Sequence, residues 1–264
     1  MMGRTIVAGT HEFLVREAGP ADGPPLVLLH GWVYDSLATW HRLMPLLAAS
    51  HRVIAVDLRS HGKTDRIRGR FEIEDLADEV ARCLDALGLG EVPVVGYSMG
   101  GMAAQALARR HPARVPRLVL VATAAKPIRV PRWVVAPVFA AGRTLARIDR
   151  TTVPRIAHRY LISTGTIAPE HSRWLWESLM NRDSDLYYEA AFAITRFDAR
   201  EWVGRLRVPA LVIVPTCDQL IPARAQRELA GLLSEAQVTE IDGARHEVVL
   251  THTEEVAAAI RSFV

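Results

Sequence analysis

Five short, mostly apolar runs constrain this chain most: LVLLH (26–30), RVIAVD (52–57), VPVVG (92–96), RLVLVAT (117–123) and VPALVIVP (208–215). They lack the in–out alternation of a half-solvated strand, so they read as strands covered on both faces. Helical spacing fills the gaps between them. Leu37, Trp40, Leu43 and Leu47 share one face of a helix over 36–50, and EIEDLADEVARCLDALGL (72–89) is amphipathic with acids at its start. Helices are also predicted from 99 to just before Pro112 and over 223–233 and 253–264, and a strand over 236–242. RTIVA (4–8) and EFLVRE (12–17) alternate around GTH and read as an antiparallel pair. Strand–helix alternation of this kind implies an α/β fold with a mostly parallel sheet and helices on both faces.

The alternation stops after Thr123. From 124 to 201 only helical fragments rich in Trp, Arg and Tyr appear, among them SRWLWESLM. This stretch is too apolar for disorder and reads as a helical cap inserted between two sheet strands. The expected organisation is therefore a core over 1–123, a cap over 124–201 and the rest of the core over 202–264.

Bulk composition excludes several classes. Half of the 264 residues are hydrophobic and 23% are charged, as in an ordinary soluble enzyme. A net charge of +3 with no basic stripe gives no reason to expect nucleic acid. Cys83 and Cys217 are too far apart for a disulfide framework or zinc site, and no H-E-x-x-H occurs. No apolar run approaches the roughly 18 residues of a membrane span, and the N-terminus lacks a signal core. A cytoplasmic protein without metal or other cofactor is expected, and the sequence leaves its oligomeric state open.

Gly96-Tyr97-Ser98-Met99-Gly100 fits G-x-S-x-G where a strand meets a helix. A nucleophile elbow needs that context: the tight turn exposes the serine Oγ, and Gly96, Gly100 and Gly101 allow close packing. A free serine alcohol is a poor nucleophile, so a base and an orienting acid must lie elsewhere. His246 follows a predicted strand and is the candidate base. Asp218, just past the apolar run 210–214, and Asp242, near His246 in sequence, are the candidate acids.

HGW (30–32), DLRSHGKTD (57–65), GYSMGG (96–101), PTCDQLIP (215–222) and GARHEVV (243–249), in that order, resemble the α/β-hydrolase superfamily over nearly the whole chain. The resemblance implies a triad of Ser98, Asp218 and His246, favouring Asp218 over Asp242. It implies an oxyanion hole from the backbone N–H groups of Trp32 and Met99, and structural roles for His30 and His61. Ser60 stands where the family usually has glycine, and DLRSHGKTD is expected to brace the loop of the oxyanion strand. Trp32, Tyr97, Trp133, Phe139 and Trp174 are candidate pocket residues. Lys126 to Arg207 carries 14 basic and 8 acidic residues, which reads as a solvated arginine face or a preference for acidic substrates.

The leading expectation is a serine hydrolase acting on a small-molecule carboxylic ester. Cofactor-free haloperoxidases and perhydrolases share the triad but often carry proline after HGW, where this chain has Val33. Lactonase, thioesterase and acyltransferase activities fit the same residues. A ligand sensor on a hydrolase scaffold is the non-enzymatic alternative.

Overall fold

The computed structural model describes residues 3–164, 167–180 and 183–264. An eight-stranded sheet runs through it in the order β1-β2-β4-β3-β5-β6-β7-β8. The strands are β1 (Gly3–Ala8), β2 (His11–Ala18), β3 (Pro25–Leu29), β4 (Arg52–Val56), β5 (Val94–Tyr97), β6 (Leu118–Val121), β7 (Ala210–Pro215) and β8 (Ala236–Ile241). β1 and β2 form an antiparallel hairpin, and β2 joins β4 antiparallel. All pairings from β4 across to β8 are parallel.

The α/β architecture follows from the apolar runs. Along β3, Val27 and Leu29 face one core and Leu26 and Leu28 the other, so the strand needs cover on both sides. On the first side lie α3 (Ile73–Ala86) and α4 (Met99–Arg110), with Leu76, Val80, Leu84 and Met102 buried against the sheet. On the other lie α1 (Ser36–Trp40) and α2 (Leu43–Leu47), joined by the C-terminal α11 (Thr253–Phe263). α9 (Ala223–Leu232) follows β7, and the short α10 (Val248–Thr251) precedes α11.

The helix expected over 36–50 is two helices. Pro45 has no N–H to give and its ring clashes with the carbonyl four residues back, at His41, so one continuous helix cannot pass through. Pro45 instead sits in the first turn of α2, where proline is tolerated.

Between β6 and β7 the chain forms α5 (Arg132–Ile148), α6 (Thr152–Ser163), α7 (Ser172–Met180) and α8 (Ser184–Arg196). α5 packs against α8, and α6 against α7. α8 is tied at its end to the start of α3, where Arg196 donates to Glu72 Oε2 (2.6 Å) and Phe71 O (2.5 Å).

The chain crosses from β3 to β4 on one side, then from β4 back past β3 to β5 on the other. That divergence opens a crevice at the carboxyl ends of β3 and β5, the usual ligand position in an open α/β sheet. Gly31 and Trp32 emerge from one of these strands and Ser98 from the other.

Candidate active site

Ser98 sits between the last residue of β5 and the first of α4, at φ 53°, ψ −116°. This backbone region is costly for any residue with a Cβ, and it holds only where surrounding structure enforces it. Close packing does so here. A Cβ on Gly96 would lie 2.4 Å from Gly100 O, and one on Gly100 would lie 2.1 Å from Leu29 O. Neither contact is possible, so both positions require glycine. The turn is further held by the Ser98 N–H, which donates to Val121 O (2.9 Å), and by Thr123, whose hydroxyl donates to Ser98 O (2.9 Å).

Three strand ends converge on the serine. Ser98 Oγ lies 3.0 Å from His246 Nε2, and His246 Nδ1 lies 2.8 Å from Asp218 Oδ2. An ionised carboxylate only accepts, so Nδ1 carries the proton and Nε2 is left to accept from the serine hydroxyl. Asp218 follows β7 and is buried. Its Oδ1 accepts the Leu220 and Ile221 backbone N–H groups at 2.8 and 2.9 Å. Its Oδ2, besides the His246 ring, accepts a fourth donor, the buried side-chain amide of Gln226 on α9, at 3.0 Å. Gln226 also donates to Ile221 O (2.7 Å), so it ties the carboxylate to its own loop. No motif announces Gln226; its place in the first turn of α9 is set by tertiary packing.

The alternative acid lies elsewhere. Asp242 is exposed and accepts from the Thr216 hydroxyl at 3.1 Å, closing the turn after β8.

The HGW segment rests directly against Ser98: a Cβ on Gly31 would lie 3.3 Å from Ser98 Cβ. Two histidines brace it. His30 is fully buried; its Nε2 accepts the Leu58 N–H (2.8 Å), which leaves Nδ1–H to donate to Gly31 O (2.7 Å). Burial drives its pKa from 6.5 down to about 4, so it is neutral. His61 Nε2 lies 2.7 Å from Trp32 O. His61 belongs to the DLRSHGKTD stretch, which is anchored by the buried Asp57. That carboxylate pairs with Arg16 (2.9 Å) and accepts the Ser36 and Lys63 backbone N–H groups. Ser60, in place of glycine, adopts φ 63°.

Met99 opens α4, so its N–H has no acceptor within the helix. Trp32 N–H makes no backbone hydrogen bond among the described residues. Both donors lie on chain segments next to Ser98.

A cavity of about 240 Å³ opens over the serine. Trp32, Tyr97 and Phe139 line it, together with Met102, Ile128, Ile194 and Leu220. Tyr97 is buried under His246, ring centroids 5.3 Å apart, and burial pushes its phenol well above the ordinary 10. Trp32 links the segment after β3 to α8: its indole N–H donates to Tyr187 O (2.7 Å), and its ring stacks on Tyr187 at 4.5 Å. Among the described residues Glu247 is the only acidic side chain on the lining.

Two expected pocket residues lie elsewhere. Trp133 is 79% exposed, on the outer side of α5. Trp174 lines a separate cavity of about 350 Å³ beyond Val33 and Tyr34, with Lys63 and Ser178. Aromatic content placed both in the helical segment, but the facing of each helix was not encoded in it. Among the described residues no group of three or more His, Cys, Asp or Glu is arranged to hold a metal ion.

The sequence pattern of the alpha/beta hydrolase fold matches residues 24–253. A non-heme chloroperoxidase of Streptomyces lividans is 30% identical across 100% of this chain and 99% of its own. A pimeloyl-[acyl-carrier protein] methyl ester esterase of Chromobacterium violaceum is 31% identical, over 90% of this chain and 93% of its own. Among solved structures, the enol-lactonase of Burkholderia xenovorans superposes with a TM-score of 0.85 at 25% identity, covering 98% of this chain and 99% of that one. Sheet order, strand-end cluster and relatives agree, and the chain belongs to the alpha/beta hydrolase fold family.

Proposed function

We propose that the protein is a serine hydrolase that cleaves carboxylic esters through an acyl-enzyme. The observation that carries this reading is the continuous Ser98–His246–Asp218 hydrogen-bond chain, at 3.0 and 2.8 Å, on the floor of an apolar cavity. Ser98 Oγ attacks the ester carbonyl as His246 Nε2 takes its proton. Asp218 holds the ring in the tautomer that leaves Nε2 free and stabilises the imidazolium that forms. The backbone N–H groups of Met99 and Trp32 receive the developing oxyanion. His246 returns the proton to the departing alcohol, then activates the water that releases the acid. Gln226 is a positioning residue acting through Asp218, and α5–α8 form a cap over the site.

The cavity argues for the substrate class. Its walls are apolar, and Glu247 disfavours a second negative charge near the ester. Neutral esters with short to medium apolar acyl groups fit it. The esterase and enol-lactonase named among the similar proteins both act on acyl–oxygen bonds, in line with this chemistry. The test is hydrolysis of p-nitrophenyl acetate, butyrate and octanoate by wild type and Ser98→Ala. Activity lost in a folded variant is expected; activity retained refutes the assignment.

The Streptomyces chloroperoxidase relative favours a second reading, perhydrolysis at the same serine. Peroxide-dependent bromination in acetate buffer, absent from Ser98→Ala, distinguishes it from simple hydrolysis.

A further inference from the structure

α5 turns an apolar face away from the protein. Trp133, Val134, Val138, Leu145 and Ile148 recur at intervals of one, four, seven and three residues and fall on one side of a helix of 3.6 residues per turn. All are exposed, Trp133 and Ile148 at 79% and Val138 at 66%. The opposite side of α5, with Phe139 and Ala146, already packs inward. Large apolar groups gathered on one surface mark an interaction face rather than scattered exposure.

Charge identifies the partner. Residues 129–159 contain seven arginines and a single acid, Asp149; Arg129 is paired with Glu228 from outside the stretch. Arg143 and Arg147 share the one carboxylate of Asp185, which leaves that cluster positive. Arg132, Arg150 and Arg159 have no acidic partner among the described residues. An exposed tryptophan and aliphatic ridge flanked by unneutralised arginines is the composition of a helix that lies in the headgroup region of an anionic bilayer. α5 cannot span one: no helix among the described residues is long and apolar enough.

The face also adjoins the site. A groove of about 290 Å³ continues from the Ser98 cavity through Pro127, Ile128 and Leu220, which line both, to Arg129 and Val130 just before α5 and Arg224 at the start of α9. We propose that the outer face of α5 docks on an anionic lipid surface, with the groove beside Ile128 and Leu220 opening toward that surface. Delivery of an ester from the lipid to Ser98 rests on the hydrolase reading above; the docking does not.

The test is co-sedimentation of the full chain with vesicles of phosphatidylglycerol and phosphatidylcholine, against phosphatidylcholine alone, at low and high salt. Hydrolysis of soluble p-nitrophenyl acetate and size exclusion are measured alongside. Wild type is expected to bind the anionic vesicles, more weakly as salt screens the arginines. Trp133→Ser with Val138→Ser should lower the partition about tenfold or more, from the lost apolar burial. Arg132→Glu changes the charge by two and should lower it about 25-fold, at about fivefold per charge. Both variants alter exposed side chains outside the cavity and should keep the soluble-ester activity.

The proposal is overturned if wild type stays in the supernatant with anionic vesicles at low salt. Equal binding to both vesicle types, or binding unchanged in the variants, also overturns it. A concentration-dependent dimer abolished by the Trp133/Val138 variant assigns the face to a second copy instead. Vesicle binding by a protein with no esterase activity upholds docking and defeats only the hydrolase reading.

Discussion

Acid should loosen this fold at one identifiable residue, His30. The ring is buried beneath the HGW segment, accepting from Leu58 N–H and donating to Gly31 O. A second ring proton would point at the Leu58 donor and bring a charge into a dry site. Burial therefore holds the folded pKa at about 4 against an ordinary 6.5. Between those values the unfolded chain binds the proton and the folded chain does not. The stability from the neutral ring is thus complete above about pH 6.5 and is lost as pH falls toward 4. The full difference is about 3 kcal/mol, at 1.36 kcal/mol per pKa unit. By pH 4.5 most of it, about 2–3 kcal/mol, is gone.

Urea unfolding of wild type and His30→Gln at pH 7, 5.5 and 4.5 measures this. The variant should be less stable at pH 7, by about 1–3 kcal/mol, because the buried partners of the ring lose their geometry. It should also lack the His30 contribution to the acid slope, so between pH 7 and pH 4.5 the difference shifts by about 2–3 kcal/mol in favour of the variant. Carboxylates titrate in both proteins and cancel in the difference. Parallel pH dependences for wild type and variant would refute the reasoning, since His30 would then not be the group that resists protonation.

Asp218→Asn should lower kcat about 10⁴-fold, by the effect of the same change in a serine protease triad. Asp242→Asn should leave kcat within about twofold, since surface substitutions have small effects; the reverse pattern, read from kcat on p-nitrophenyl butyrate, overturns the choice of acid. Gln226→Leu removes one hydrogen bond to a carboxylate and leaves Ile221 O unpaired, but it also removes a buried, unpartnered Oε1. A net loss of about 2–3 kcal/mol is expected, with kcat down and KM steady; a fall in stability with kcat unchanged would deny it a positioning role. Glu247→Gln should raise kcat/KM for an anionic monoester such as monomethyl adipate several-fold relative to its neutral dimethyl ester, an effect about the size of one partly screened charge pair. An unchanged ratio removes Glu247 from substrate selection.

The parts of the molecule written in backbone-scale chemistry were legible from residues alone. The central strands were visible because burial on both faces demands uninterrupted Val, Leu and Ile. The elbow was visible because its geometry excludes a Cβ at positions 96 and 100. Ser98, His246 and two candidate acids were readable near strand ends, and the family resemblance rather than the residues favoured Asp218 over Asp242; residues 98 and 246 are 148 positions apart and only the sheet order brings them together.

What depends on the facing of side chains was not legible. Trp133, Phe139 and Trp174 are equivalent as aromatic residues in helical fragments. Helix packing alone sends Phe139 into the Ser98 cavity, Trp174 into its neighbour and Trp133 into solvent. Gln226 was invisible for the same reason: its role exists only because α9 folds back over the loop after β7. The break between α1 and α2 was readable in principle, since Pro45 forbids a continuous helix, but apolar spacing alone runs straight through it.

Trapping the acyl-enzyme tests the central claim most directly. Wild type is mixed with p-nitrophenyl butyrate, quenched in acid within the first turnovers, and its intact mass and peptides are measured. A butyryl adduct on the peptide containing Ser98, absent from Ser98→Ala, is the predicted result. Rapid turnover with no adduct, or an adduct on any other residue, would contradict a serine mechanism at this site.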